Sequence, residues 1–189
     1  MTRIAILASG SGTNAENIIR YFSDKESVKI TAVISNKKSA KVLERASNLN
    51  VPSHYFDKKS FFEGENVVTF LTENADFVIL AGFLLKVPQN ILAAFPNKII
   101  NIHPALLPKF GGKGMYGMHV HKAVKANKEK ETGITIHYVN ENYDEGAIIF
   151  QATTPVHEDD SAEDIAANIH KLEQTHFPSV IESILLNMY

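Results

Sequence analysis

The sequence predicts an α/β fold: an open, doubly wound, mostly parallel sheet with antiparallel strands added near the C-terminus. Three observations point to it. Short all-apolar runs recur along the first half of the chain, helical-period segments lie between them, and two strand-like segments follow one another directly late in the chain. Strands without polar alternation are buried on both faces, as in a parallel sheet covered by helices. Strict alternation of strand and helix makes an open doubly wound sheet the economical arrangement.

The elements follow in order. Ile4 to Ala8 is an apolar run ending in Ser9-Gly10-Ser11-Gly12. Ala15 to Phe22 is helical, with Ile18, Ile19 and Phe22 on one face. Val28 to Ile34 is a β-branched strand, Ala40 to Leu49 a helix, and Ser53 to Phe56 a short extended piece. Phe61 to Asn74 reads as one helix, Phe77 to Ala81 as a strand ending at Gly82, Ile91 to Phe95 as a short helix, and Ile99 to His103 as a strand. His119 to Asn127 is helical, and Thr132 to Val139 and Ala147 to Val156 are strands joined by a turn at residues 140–146. A long helix ends the pattern. Ser161 is its expected N-cap, with Glu163 and Asp164 in the first turn, and Pro178 is expected to kink or restart it near Phe177.

Composition narrows the function. The 189 residues fit one domain, and 44% apolar with 21% charged residues is ordinary for a soluble globule. A formal net charge of -2 is a poor footprint for nucleic acid. The absence of cysteine excludes disulfides, thiolate metal sites and a cysteine nucleophile. No apolar run reaches the roughly 18 residues of a membrane span, and Met1-Thr2-Arg3-Ile4 has no secretory pattern. A soluble, cytoplasmic protein without nucleic-acid or membrane partners is expected.

Gly10-Ser11-Gly12-Thr13-Asn14-Ala15 has the G-x-G-x-x-G/A spacing between a strand and a helix. Such a loop brings backbone N–H groups close to an anion. It serves either as a phosphate site or as a plain tight turn. A dinucleotide fits less well than a single phosphate, because the second strand ends in Ser35-Asn36-Lys37 without the acidic residue that holds a ribose.

Lys98-Ile99-Ile100-Asn101-Ile102-His103-Pro104 is the most informative segment. Asn101 and His103, two apart on a strand, share one face. Polar groups on a buried strand need partners, and these stand at the carboxyl end, where open α/β sheets bind ligands. An amide and an imidazolium suit acyl transfer, since both can donate to an oxyanion. A neighbouring carboxylate favours the charged ring, and Asp144 is the candidate. The alternatives are a strand-end Asn and His bonded to nearby loops, and an ordinary turn Asp.

His119-Val120-His121, His137 and His157 do not form a convincing metal set: spacing on a helix puts the first two rings on different faces. No metal is expected. Phe110 to Gly117, with its four glycines, is either a flexible loop or a lid. Glu173 stands beside the apolar face of the last helix, as a solvated rim residue or as a buried carboxylate for ligand hydroxyls.

Together these residues resemble the folate-dependent phosphoribosylglycinamide formyltransferase family. The resemblance rests on Gly10-Ser11-Gly12-Thr13-Asn14, Leu80-Ala81-Gly82-Phe83, Asn101-Ile102-His103-Pro104-Ala105-Leu106-Leu107-Pro108 and Asp144-Glu145-Gly146, in family order along essentially the whole chain. It implies a Rossmann-like formyltransferase domain over 1–189, with a phosphate-binding half at 1–100 and a catalytic, folate-binding half at 101–189. It implies Asn101, His103 and Asp144 as catalytic residues. Gly12, Thr13, Asn14 and Glu173 correspond to contacts with the phosphoribosylglycinamide substrate. Lys59, Leu84, Leu85, Lys86, Val87 and Asn101 correspond to contacts with 10-formyltetrahydrofolate. Ala105 stands in place of a common Ser, Lys86 replaces an earlier Arg, and the Phe110–Gly117 loop is longer than in many relatives. The implied state is a monomer or homodimer. A deformylase sharing the catalytic block and a non-catalytic nucleotide-binding module are the competing readings.

Overall fold

The computed structural model describes residues 1–187. The chain forms two compact units, residues 1–100 and 101–189.

The first unit alternates strand and helix: β1 (Thr2–Leu7), α1 (Thr13–Phe22), β2 (Val28–Ser35), α2 (Lys41–Asn48), β3 (Ser53–Tyr55), α3 (Lys58–Phe62), α4 (Asn66–Asn74), β4 (Phe77–Leu80) and α5 (Gln89–Ala94). Its strands lie in the order β3-β2-β1-β4. β1 runs parallel to β2 and β4, and β2 parallel to β3. Ile4, Ala5, Ile6 and Leu7 are wholly buried, as are Phe77, Val78 and Ile79. That explains the missing polar alternation: a central strand has apolar neighbours on both faces. Where β1 and β4 begin, Arg3 pairs with Asp76 at 2.7 Å, both about 40% exposed, so solvent screens the contact.

The segment expected as one helix over Phe61–Asn74 is two. Asp57 caps Ser60 N–H at 2.8 Å, so α3 starts early at Lys58. Helix α3 then stops at Phe62, before Gly64, and α4 restarts at Asn66. Glycine is a poor helix residue, and the turn it allows separates the two.

β5 (Ile99–His103) passes from the first unit into the second, which continues with α6 (Met118–Ala126), β6 (Glu131–Tyr138), β7 (Ile148–Pro155) and α7 (Ala162–Leu186). β6 and β7 are antiparallel, with Thr135 opposite Gln151. Gly133 sits where a Cβ would strike the Ala152 carbonyl, so the strand admits only glycine there. Helix α7 opens with a capping box: Asp164 N–H donates to Ser161 Oγ at 3.1 Å, and Ser161 N–H to Asp164 Oδ2 at 2.9 Å. Of the kink or restart expected near Phe177, the restart does not occur. The helix runs through Pro178, which is buried beside fully buried Phe177 and Ile181. Tertiary packing offsets the one backbone donor that proline lacks. Among the described residues no helix is long and apolar enough to cross a membrane.

Candidate active site

The second unit gathers the polar residues of β5. Ile100 and Ile102 point into the core, and Asn101 and His103 occupy the other face. His103 is 3% exposed and Asn101 is half-buried. Strand β6 adds a residue to which the sequence pattern gives no role beyond an unconvincing metal ligand. His137, 2% exposed, alternates with buried Ile134 and Ile136. Its Nε2 lies 3.1 Å from Asn101 Nδ2, and its Nδ1 lies 2.8 Å from the Tyr138 carbonyl. The signal was in the sequence: Thr135 and His137 interrupt an isoleucine strand just as Asn101 and His103 do.

Asp144 comes from the β6–β7 connection and adopts a left-handed backbone, φ 56°, which Asp tolerates better than most residues. Its carboxylate faces both rings. Oδ2 is 3.6 Å from His103 Nδ1, and Oδ1 is 3.7 Å from His137 Nε2. Gly112 N–H donates to Oδ2 at 2.9 Å. Gly111, just before it, has no room for a Cβ, which would fall 2.5 Å from Leu107 Cδ2 and 3.3 Å from Asp144 Cβ. The His103 ring donates from Nε2 to the Phe110 carbonyl at 2.7 Å. Phe110 is held at φ 55°, a conformation a bulky residue adopts only when its surroundings enforce it. The start of the glycine-rich segment is therefore part of the site.

The Ala105–Leu107 turn after β5 hangs on Thr135, which is wholly buried. Its hydroxyl donates to the Ala105 carbonyl at 2.7 Å and accepts from Leu107 N–H at 3.0 Å and Gln151 Nε2 at 2.9 Å. Gln151 also donates to the Leu107 carbonyl at 3.1 Å. Thr135 carries the same mark as His137, but its pairing with Gln151 depends on the β6–β7 register, which no local pattern shows.

Burial disfavours the charged form of two histidines. Desolvation holds His137 below the usual imidazole range, and the His103 charge adds to this, while the Tyr138 carbonyl and Asp144 oppose it. Burial, then the charge on His103, does the same to His121. His121 Nδ1 is buried without a hydrogen-bond partner. His119, two residues earlier, is exposed and packs edge-on against Tyr116. Glu173 is half-buried on α7, its carboxylate 3.7 Å from His170 Nδ1.

The first unit holds the glycine loop. Gly12 ends it at φ 77° and precedes α1 without a side-chain cap. The α2 segment grips the loop: Val42 N–H donates to the Gly10 carbonyl at 3.2 Å, and Arg45 Nε to the Ser11 carbonyl at 2.8 Å. Thr13 and Asn14 form the first turn of α1. Glu16 in that turn would oppose an anion, but Arg20 and Arg45 both pair with it and hold its carboxyl below the usual range. Ser9, missed by the motif, ties three strand ends together: its hydroxyl donates to Asn36 Oδ1 at 2.5 Å and accepts from Leu84 N–H at 2.9 Å. The Leu84 N–H is thus committed within the protein. Leu85 is half-buried, Lys86 exposed and Val87 buried. Lys59 is exposed on α3, 3.8 Å from Glu63.

An amide, two imidazoles and a carboxylate at the end of a buried strand make an acyl-transfer type of site in an α/β frame. The comparisons agree with that class. The family model described as formyl transferase matches residues 2–181, and the chain belongs to that family. A phosphoribosylglycinamide formyltransferase of Vigna unguiculata, a chloroplastic protein, is 39% identical over 96% of this chain. The chain spans 60% of that relative's length. The Bacillus subtilis phosphoribosylglycinamide formyltransferase is 36% identical over 98% of this chain and 95% of its own. The crystal structure of the Anaplasma phagocytophilum phosphoribosylglycinamide formyltransferase superposes with a TM-score of 0.90, at 36% identity over 98% of this chain and 87% of the other. The fold class expected from the sequence, with parallel strands first and an antiparallel pair near the C-terminus, holds.

Proposed function

We propose that the chain transfers a formyl group from 10-formyltetrahydrofolate to the amine of phosphoribosylglycinamide, a step of purine synthesis, in the cytoplasm. The observation that carries this is the convergence of Asn101, His103 and Asp144, in a chain whose near-full-length relative in Bacillus subtilis bears that name. The folate would supply an activated formyl carbonyl, and the protein supplies donors and orientation.

Asn101 donates an amide N–H to the formyl oxygen as negative charge gathers there. His103 joins it when Nε2–H exchanges the Phe110 carbonyl for that oxygen. Asp144 stands close enough to stabilise positive charge on the ring. The acceptor amine, with a pKa near that of an α-amino group at about 7.7–8.0, is partly neutral at pH 7 and needs little help to attack. Asp144 would also anchor a water that carries the proton of the attacking amine to the folate nitrogen, whose bond to the formyl carbon breaks as tetrahydrofolate leaves. Gly12, Thr13 and Asn14 would hold the phosphate, and Glu173 the glycinamide end. Leu84, Leu85, Lys86 and Val87 would meet the pterin ring. Lys59 is a solvent-side contact for the rest of the folate.

The test is direct. The protein is mixed with 10-formyltetrahydrofolate, with and without phosphoribosylglycinamide. Folate turnover only with the acceptor is expected. Turnover without it indicates a deformylase, and none in either mixture indicates a binding module.

A further inference from the structure

We infer that His137 is a positioning residue, which holds the Asn101 carboxamide in the one orientation that presents an N–H donor to the reaction. The inference rests on the formyl-transfer reading above and names a further residue for it.

The inference follows from which atoms can donate. The Tyr138 carbonyl can only accept, so His137 Nδ1, 2.8 Å away, carries a proton. The ring is 2% exposed and sits beside His103, surroundings that disfavour a second proton on it. A neutral ring protonated at Nδ1 has a lone pair at Nε2. The Asn101 atom 3.1 Å from that lone pair must therefore be the NH2 group and not the carbonyl oxygen. One N–H is spent on His137, and the second is fixed in direction by the plane of the amide. Without an acceptor at that point the amide is free to turn over, and the oxygen that replaces the donor would repel a developing oxyanion. Asp144 does not claim the His137 Nε2 position for itself: its oxygen lies 3.7 Å from that nitrogen, beyond hydrogen-bond reach.

Two substitutions separate the ring's two nitrogens. His137→Asn keeps a donor where Nδ1 stands, for Tyr138, but leaves Asn101 without an acceptor. His137→Gln reaches to the Nε2 position and offers Asn101 an amide oxygen. The expected result is a fall in kcat of about tenfold or more for His137→Asn with KM for both substrates nearly constant, and recovery of most of that loss in His137→Gln. In an Asn101→Ala background His137→Asn is expected to cost no further rate, because its effect runs through the amide. Equal losses in the two single variants, no loss in either, or a full additional loss on Asn101→Ala would each overturn the inference. Wild-type protein in the same assay keeps the two questions apart: if it transfers no formyl group, the functional reading fails first.

Discussion

Replacing Gly12 by alanine tests whether the glycine loop is a requirement of folding or of binding. Gly12 has φ 77°, and a Cβ there would lie 2.5 Å from Val42 Cβ and 2.7 Å from Val42 Cα, besides striking Cγ2. The left-handed backbone costs about 1–2 kcal/mol for a residue with a Cβ. Crowding against α2 adds about 1–3 kcal/mol, because one contact is with backbone that cannot rotate away. The sum, about 2–5 kcal/mol, is a large part of a typical stability. For a chain of this size it lowers Tm by roughly 4–20 °C. Gly10 is the control. Its Cβ would meet nothing within 4 Å, so Gly10→Ala should alter stability by less than about 0.5 kcal/mol. Under the proposed function it should instead raise KM for the phosphorylated substrate, because Gly10 belongs to the loop assigned to the phosphate. Thermal unfolding and initial-rate kinetics on both variants provide the readout. An unchanged Tm in Gly12→Ala, or equal destabilisation by Gly10→Ala, would refute the assignment.

Three further outcomes follow from the second unit. Gly111→Ala should push aside Leu107, whose Cδ2 would lie 2.5 Å from the new methyl, and Asp144, whose Cβ would lie 3.3 Å from it, and lower kcat by about tenfold or more with a loss of only a few degrees in Tm. Burial lowers the folded-state pKa of His121 and of His137, so stability from their neutral forms is present above the unfolded value near 6.5 and is lost as pH falls below it toward the folded value. His121→Leu removes one of these groups and a partnerless buried nitrogen, so the drop in Tm on acidification from about pH 7.5 to 5.5 should shrink. Ser161→Ala breaks the capping box of α7 and should cost about 1 kcal/mol in denaturant unfolding, with no change in KM.

The sequence made the parallel strands legible because burial on both faces leaves continuous apolar runs, as at Ile4–Leu7 and Phe77–Leu80. Asn101 and His103 were legible for the opposite reason, since polar side chains in such a run need an account. Thr135 and His137 carry the same mark, yet the histidine pattern drew attention to metal chemistry instead. The partners of Ser9, Thr135 and Gln151 depend on strand register and loop closure, which local periodicity does not encode. The break at Gly64 and the absence of a restart at Pro178 are not legible from propensity alone. A cap at Asp57 decided the first, and burial of Phe177 and Ile181 the second.

The most direct measurement is turnover by Asn101→Ala with both substrates saturating. Losing one donor to a developing oxyanion is worth about 2.7–4 kcal/mol, so kcat should fall by about 100-fold or more, while the lost bond to buried His137 costs only about 1–3 kcal/mol of stability and leaves the protein folded at the assay temperature. A variant that keeps its rate within about threefold, a difference under 1 kcal/mol, would contradict the role given to the strand-end amide.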